Sequence, residues 1–169
     1  MRITSISINN FRLLEKISVN LEEDITLIVG RNNTGKSSLA DLCIDLLEKQ
    51  NELKFVDFSN GCYPKFRESY EFYKEYLKSI KIGEDEKEQL IKIAKIEETL
   101  PKITLEILIE YDKEKDTNLT GLSTYIMDLD VSRNDALILV EFSADDTLRL
   151  FSSYQTSNNT EAVDLIAYL

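Results

Sequence analysis

The stretch of this sequence with the clearest chemical potential is a glycine loop, "GRNNTGKSSL", over residues 30–39. Gly30 is followed by four residues and then by Gly35, Lys36 and Ser37, which is the spacing of a phosphate-binding loop. Glycines let successive backbone N–H groups point at phosphate oxygens, and the lysine adds a cation for the β- and γ-phosphates. The serine hydroxyl can bind a Mg²⁺ ion that bridges the same phosphates. These residues therefore predict binding of ATP or a related triphosphate with Mg²⁺, and Ser37 as a metal ligand.

The elements on either side of the loop have the pattern that this chemistry needs. The continuous apolar run "ITLIV" at 25–29 predicts a strand buried on both faces. After the loop, apolar residues recur at helical spacing: Leu39, Leu42, Cys43, Leu46 and Leu47. We expect a helix that begins at Gly35 and aims its positive N-terminal end at the bound anion.

The remaining elements are predicted from periodicity. Alternating residues over 3–11 and 16–21 predict an antiparallel strand pair, and an apolar stripe over 65–80 predicts a helix. The charged segment over 84–99, which stops before Pro101, predicts a second helix. We interpret the tyrosine-rich stripe of the first helix as a packing face rather than a base-stacking surface. The further strands are expected over 103–111, 137–142 and 147–154, and the last two flank "SADD" and predict a hairpin. A capping box from Asn158 to Glu161 predicts the start of a final helix.

Composition limits the classes of function. The 169 residues carry a net charge of −11, and 43% are hydrophobic, which is typical of one globular domain. The absence of histidine excludes His-based general-base chemistry, the serine triad and most catalytic zinc sites. Acidic residues outnumber basic ones from Pro101 onward, so DNA contacts are expected from the first hundred residues. We predict a cytoplasmic protein with no membrane partner, because no apolar run is long enough to span a membrane and no secretory leader is found. The two cysteines suggest no disulfide framework.

The start of the chain resembles a known family. "NNFR" at 9–12 and the loop form G-x-N-x-x-G-K-S-S-L, with Asn32 in place, are similar to the SMC/RecF/OLD-type ABC ATPases over residues 1–47. The loop most resembles that of OLD-like AAA-type ATPases, as in overcoming-lysogenization-defect nucleases and bacterial anti-phage systems. The resemblance implies an α/β fold: the P-loop NTPase N-terminal lobe of an ABC-type head, with a helical insertion and an antiparallel β-subdomain.

The resemblance also implies a domain organisation. We expect residues 1–169 to form a single P-loop ATPase lobe, whose C-terminal lobe would come from a further segment of the protein or from a separate chain. The expected subdivisions are strands, loop and first helix over 1–50, a helical insertion over 51–100, an antiparallel β-subdomain over 101–156, and the start of a helix over 157–169.

Site residues follow from the matching positions of the family. Lys36 and Ser37 would hold phosphate and Mg²⁺. The other residues expected to line or approach the nucleotide are Gly30, Arg31, Asn32, Asn33, Thr34, Gly35 and Ser38. Arg12 would lie near the phosphates or at a DNA-facing edge, and a plain surface arginine is the alternative. Gln155 is the candidate glutamine of a Q-loop, near the nucleotide and Mg²⁺.

The residues for hydrolysis are incomplete. Glu141 follows the apolar run "ALILV" but lacks the aspartate of a Walker B pair, and an ordinary strand is the favoured interpretation. Asp128 and Asp130 in "YIMDLD" follow a run too short for a central strand. No LSGG-like sequence is present, so we assign no catalytic residue to this chain.

The sequence thus predicts the ATP-binding part of an ATPase that acts in DNA transactions or anti-phage defence. Hydrolysis would require the C-terminal lobe and a homodimer or higher oligomer formed through the ATPase heads, with DNA and a nuclease effector as partners. One alternative is a non-hydrolysing, ATP-dependent assembly or switch module of a larger complex. Another is a small kinase or GTPase, against which stands the absence of the guanine motif N-K-x-D.

Overall fold

A computed structural model describes the chain at residues 1–44, 53–112, 134–158 and 164–169. It consists of two compact units, and each unit is built from two stretches of sequence. The first unit comprises residues 1–53 and 103–141, and the second comprises residues 54–102 and 142–169.

The first unit contains a four-stranded sheet. Its strands are β1 (Arg2–Phe11), β2 (Leu14–Asn20), β3 (Ile103–Glu110) and β4 (Asp135–Phe142), in the order β2-β1-β3-β4. β1 pairs antiparallel with both β2 and β3. The predicted strand pair at the start of the chain and the strands predicted near 103–111 and 137–142 are therefore confirmed.

The sheet has one apolar and one polar face because side chains alternate along each strand. Ile8 lies opposite Ile17 on one side and Leu105 on the other, and both Ile8 and Leu105 are fully buried. On the polar face, Ser7 hydrogen-bonds Ser18 across the β1–β2 pair at 3.0 Å.

The predicted buried strand over 25–29 is not formed. The segment has no regular secondary structure, and Ile25, Leu27 and Val29 are 82%, 81% and 78% exposed. A strand can be buried on both faces only if other strands pair with its edges and other layers cover it. The four described strands pair with one another and leave this segment out of their sheet, so its apolar residues remain exposed in this part of the chain.

The second unit is mainly helical. Short 3₁₀ turns at Phe55–Asp57 and Asn60–Cys62 lead into α2 (Tyr63–Ile82), which is followed by α3 (Glu86–Thr99). α2 ends at Gly83, whose φ of 70° closes the helix in the left-handed conformation that glycine adopts without strain. Both helices were predicted, and α1 (Lys36–Cys43) of the first unit agrees with the helix predicted after the loop.

The tyrosines of α2 form part of an aromatic cluster with α4 (Thr147–Asn158). The rings of Tyr70 and Tyr73 each lie 5.5 Å from the ring of Phe151, and Tyr70 lies 5.0 Å from Tyr154. Burial raises the pKa of Tyr70 and of Tyr73. The interpretation of this stripe as a packing face is confirmed, although its last member, Ile80, is 46% exposed.

The predicted hairpin strand over 147–154 is wrong, because these residues form α4. The Asp146 carboxylate accepts a hydrogen bond from the Arg149 N–H at 2.8 Å, which caps the helix. Phe151 and Tyr154, one turn apart, are both buried. The cap and this one-turn spacing explain why the segment forms a helix, although its apolar alternation suggested a strand. The described part of residues 101–156 thus contains two strands, β3 and β4, and both belong to the sheet that includes β1 and β2.

The final described helix is α5 (Leu165–Tyr168). Its N-cap is Asp164, whose side chain accepts a hydrogen bond from the Ile166 N–H at 2.9 Å. Asn158 of the predicted capping box is the last residue of α4, and Glu161 lies outside the described residues. Among the described helices, none is both long enough and apolar enough to cross a membrane.

The sheet core yields a stability prediction for a matched pair of leucines. Leu105→Ala in β3 should lower the free energy of unfolding by about 2–5 kcal/mol, because it leaves a cavity at a fully buried position. Leu139→Ala in β4, at 52% exposure, should change it by less than about 0.5 kcal/mol. Urea denaturation followed by circular dichroism measures both values, and equal losses would contradict the placement of the apolar face.

Candidate functional site

The glycine loop leads directly into α1 in the first unit. Gly35 is the N-cap of α1 with φ 88° and ψ 6°, and its carbonyl accepts the Leu39 N–H at 3.0 Å. The first residues of α1 have free backbone N–H groups at the end of the helix that carries partial positive charge. The loop therefore places an anion-attracting helix terminus next to Lys36, as predicted from its spacing.

Gly35 is required sterically as well as conformationally. A Cβ atom at this position would lie 2.4 Å from Cδ2 of Leu14. Leu14 is the first residue of β2 and is only 4% exposed, so it is held in place by its surroundings. The start of β2 thus supports the loop from behind, and a glycine is needed for this close approach.

The Lys36 ammonium lies among the acceptors of its own loop. Its Nζ donates to the carbonyl oxygen of Gly30 at 2.7 Å and to that of Arg31, and it lies 3.5 Å from Oγ1 of Thr34. The Thr34 hydroxyl in turn donates to the Arg31 carbonyl at 2.9 Å. An ammonium has three donors, so phosphate oxygens could replace these carbonyls one by one as partners of Lys36.

Most of the remaining predicted loop residues are accessible. Four of them are exposed in the structure: Arg31, Asn32, Asn33 and Ser37. Asn33 adopts a positive φ of 61°, a conformation that asparagine tolerates better than most residues. Ser38 is buried at 9% exposure, so its side chain is less available to a ligand than that of Ser37.

The donor set fits a triphosphate with Mg²⁺. Lys36 and the α1 terminus supply positive charge, and the exposed Ser37 hydroxyl sits in the first turn of α1. Within the described residues, no group of three or more His, Cys, Asp or Glu side chains could hold a metal ion by itself. A Mg²⁺ ion here would therefore depend on phosphate oxygens together with Ser37, as Mg²⁺ usually does in nucleotide sites.

Arg12 is bound to the helix that follows the loop. Its Nη1 lies 2.7 Å from Oδ2 of Asp41 in α1, and its guanidinium lies 4.8 Å from the ring centroid of Phe11. Both Asn10 and Arg12 have positive φ, at 64° and 47°, so the turn between β1 and β2 is tightly bent. The structure thus places Arg12 beside α1.

The structure describes two of the other candidates for hydrolysis, Gln155 and Glu141. Gln155 lies inside α4 and is exposed, so it does not follow a strand, contrary to what the predicted strand over 147–154 implied. Glu141 lies in β4, in agreement with its interpretation as part of an ordinary strand. Asp128 and Asp130 lie outside the described residues.

Two residues of the site were missed by reasoning from the sequence. Leu14 lies between the strands predicted over 3–11 and 16–21, and Asp41 lies in the predicted helix at a position to which no role was assigned. Their partners are 21 and 29 positions away, at Gly35 and Arg12, and no local pattern links residues so far apart. The opposite charges of Arg12 and Asp41 were the only available hint.

A glycine loop between apolar residues and a helix N-terminus, with a lysine at the start of that helix, defines the class of P-loop nucleotide-binding proteins. The family model "AAA ATPase domain" matches residues 1–166. The chain therefore belongs to the AAA ATPase domain family, which indicates ATP binding and ATPase function, and its α/β structure is compatible with that family. No curated protein matches the chain.

A pair of glycine substitutions tests the support of the loop by β2. Gly35→Ala should lower the free energy of unfolding by about 3 kcal/mol or more, since it combines a strained φ with overpacking against Leu14. Gly83→Ala also has a positive φ, but nothing lies within 4 Å of its added Cβ, so a cost of about 1–2 kcal/mol is expected from the strained φ alone. Urea denaturation of both variants gives the comparison. Equal costs would mean that the contact with Leu14 is unimportant.

The ion pair between Arg12 and Asp41 yields a second prediction. Its side chains are 37% and 47% exposed, so solvent screens the pair and its coupling energy should be below about 1 kcal/mol. A double-mutant cycle of Arg12→Ala and Asp41→Ala, measured by urea denaturation, gives this energy, and 1 M NaCl should reduce it. A coupling of several kcal/mol that salt does not change would contradict this expectation.

Proposed function

We propose that this domain binds ATP with Mg²⁺ at the loop formed by Gly30–Ser38. The observation that supports the proposal most directly is the position of Lys36, whose ammonium already lies at the centre of the loop beside the α1 terminus. Lys36 would bind the β- and γ-phosphates, and Ser37 would bind the metal. The exposed loop residues Arg31, Asn32, Asn33 and Thr34 would line the nucleotide.

We also propose that hydrolysis requires residues from outside the described part of this chain. Catalysis of phosphoryl transfer depends on a group that orients the attacking water. The described side chains that line the cavity beside Lys36 include no carboxylate, and Asp41 is engaged with Arg12. Bound Mg²⁺ would neutralise charge on the phosphates. The chain's own contribution is then to bind and orient the triphosphate.

The exposed segment 25–29 supports the idea of a completing lobe. Its apolar side chains have the composition of a central strand, yet they are exposed and unpaired with the described strands. A C-terminal lobe, from a further segment or a separate chain, would add strands beside it and bury these residues. This is the arrangement that the resemblance to ABC-type heads implies.

The wider role rests on the resemblance to SMC/RecF/OLD-type ATPases. We propose that the intact protein forms a homodimer or higher oligomer through its ATPase heads and acts on DNA or in anti-phage defence with a nuclease effector. The N-F-R sequence at 10–12 and the form of the glycine loop support this assignment. An ATP-dependent switch without hydrolysis is the alternative, and it uses the same binding site.

Isothermal titration with ATP and Mg²⁺ tests the binding site. Lys36→Ala should weaken ATP binding at least tenfold, because it removes the cation that faces the phosphates. Lys16→Ala is the matched control, since Lys16 is an exposed lysine of β2 whose side chain does not line the cavity, and it should bind as the wild type does. Equal affinities of Lys36→Ala and wild type would refute the proposal.

Phosphate release by the same purified chain tests the need for further residues. We expect ATP to bind with negligible turnover. Rapid turnover that the Glu141→Gln variant abolishes would contradict this and would assign the catalytic role to β4. Absence of turnover in the intact assembly, with ATP-dependent association preserved, would favour the switch alternative.

A further inference from the structure

The side of α3 that points away from α2 is exposed. α3 packs against α2, and Ile96 on that side of α3 is fully buried. The opposite side carries four exposed residues at helical spacing, which we call the α3 stripe: Lys87, Ile91, Ala94 and Glu98. Residues that follow one another by three or four positions lie in one row along a helix. The α3 stripe is therefore a continuous row on the outer surface of the second unit.

The centre of the α3 stripe is apolar. Ile91 is 61% exposed, and Leu90, which lies beside the stripe, is 58% exposed. Ala94 follows Ile91 by less than one turn, and its small side chain leaves room for the side chain of a second helix at this point. An apolar centre within a charged rim is the composition of a protein–protein interface.

The two ends of the α3 stripe carry opposite charges. Lys87 lies in the first turn of α3, and Glu98 lies in the last turn, which contains no basic residue. A carboxylate at the C-terminal end of a helix is unfavourable, because that end carries partial negative charge. A positive group placed beside Glu98 would therefore stabilise this end of α3.

We propose that α3 is a self-association surface, at which the α3 stripes of two copies of this chain pack antiparallel about a two-fold axis. In such an interface every contact occurs twice. When Ile91 of one copy lies opposite Ala94 of the other, Lys87 lies opposite Glu98, because Lys87 precedes Ile91 by as many positions as Glu98 follows Ala94. The dimer then has an ion pair on each side of its apolar centre. The C-terminal end of each α3 also lies beside the positive N-terminal end of the other.

The residues beside the stripe are compatible with the same register. Glu88 and Lys95 lie on one flank of α3, and across the two-fold axis each comes within about 3 Å, along the helix, of the level of the other. The Lys95 ammonium lies 3.8 Å from the ring centroid of Phe72 in α2, which keeps this charge beside α3. Glu88 of one copy and Lys95 of the other can therefore form a second pair of opposite charges.

The proposed dimer is weak and independent of nucleotide. α3 has 14 residues, so a single pair of these helices makes a small interface. The net charge of −11 on each copy also opposes association. The contact uses α3 alone, so it is separate from the association through ATPase heads proposed above.

Sedimentation equilibrium of the full chain without nucleotide tests the proposal. Wild type should be mainly dimeric at about 200 µM and mainly monomeric at about 2 µM. Lys87→Glu and Glu98→Lys each place like charges opposite one another at both contacts, so each variant alone should self-associate at least tenfold more weakly. An equimolar mixture of the two variants should associate to within threefold of wild type, because the mixed dimer restores opposite charges at both contacts.

Lys16→Glu in β2 is the matched control, because it changes the net charge by the same amount at an exposed lysine outside α3. It should leave the association constant within twofold of wild type. Ile91→Ala should weaken association at least threefold by removing apolar contact, and alanine favours the helix at this exposed position. Circular dichroism checks that each variant is folded, and Glu98→Arg replaces Glu98→Lys if the latter is unfolded.

Three results would overturn the inference. They are a monomeric wild type at about 200 µM, single charge reversals that self-associate as the wild type does, and a mixture that associates no better than its two components. Each of these results would leave the nucleotide site intact as a proposal, because Lys36→Ala tests ATP binding separately.

Discussion

The close approach of Gly35 to Leu14 is the constraint on which the candidate site depends. A P-loop acts through backbone N–H groups, so its function requires a particular path of the main chain. Here that path runs against the first residue of β2, at a distance that admits no Cβ atom. Leu14 is fixed because β2 pairs with β1 and β1 pairs with β3. The conformation of a loop near residue 35 is thus supported by a strand that begins at residue 103.

Electrostatic contacts refine this arrangement and contribute less to its stability. The pair of Arg12 and Asp41 connects the β1–β2 turn to α1, but both side chains are partly exposed and solvent weakens their attraction. The contacts of Lys36 with the loop carbonyls have a different consequence. They offset the energy of phosphate binding, because each bond to a phosphate oxygen would replace a bond to a carbonyl. The helix terminus and the positive charge of a bound Mg²⁺ would then supply much of the net free energy of phosphate binding.

Much of the fold could be predicted from the sequence. The errors arose where a local pattern fitted more than one structure or where the outcome depended on distant residues. Alternation in β1, β2 and β3, the apolar stripe of α2 and the charged segment of α3 are local patterns, and these elements were predicted correctly. The segment over 147–154 fits both alternation and a helix, and the Asp146 cap and the burial of Phe151 favoured the helix. In the site, the loop was recognisable from spacing alone. The contacts of Leu14 and Asp41 were not, because they depend on how distant residues meet in three dimensions.

The segment over 25–29 shows what an apolar pattern can and cannot indicate. Five apolar or β-branched residues in a row indicate a segment that is suited to a buried strand. The strand itself forms only where another strand is available to hydrogen-bond with its backbone. Ile25, Leu27 and Val29 are among the most exposed hydrophobic residues of the described chain, and they lead directly into the glycine loop. A contiguous exposed apolar patch usually marks an interaction site. Because the segment ends at Gly30, strands added beside it, as proposed above, would also restrict the path of the loop. Under the completion by a further lobe proposed above, the added strands would therefore also order the nucleotide site.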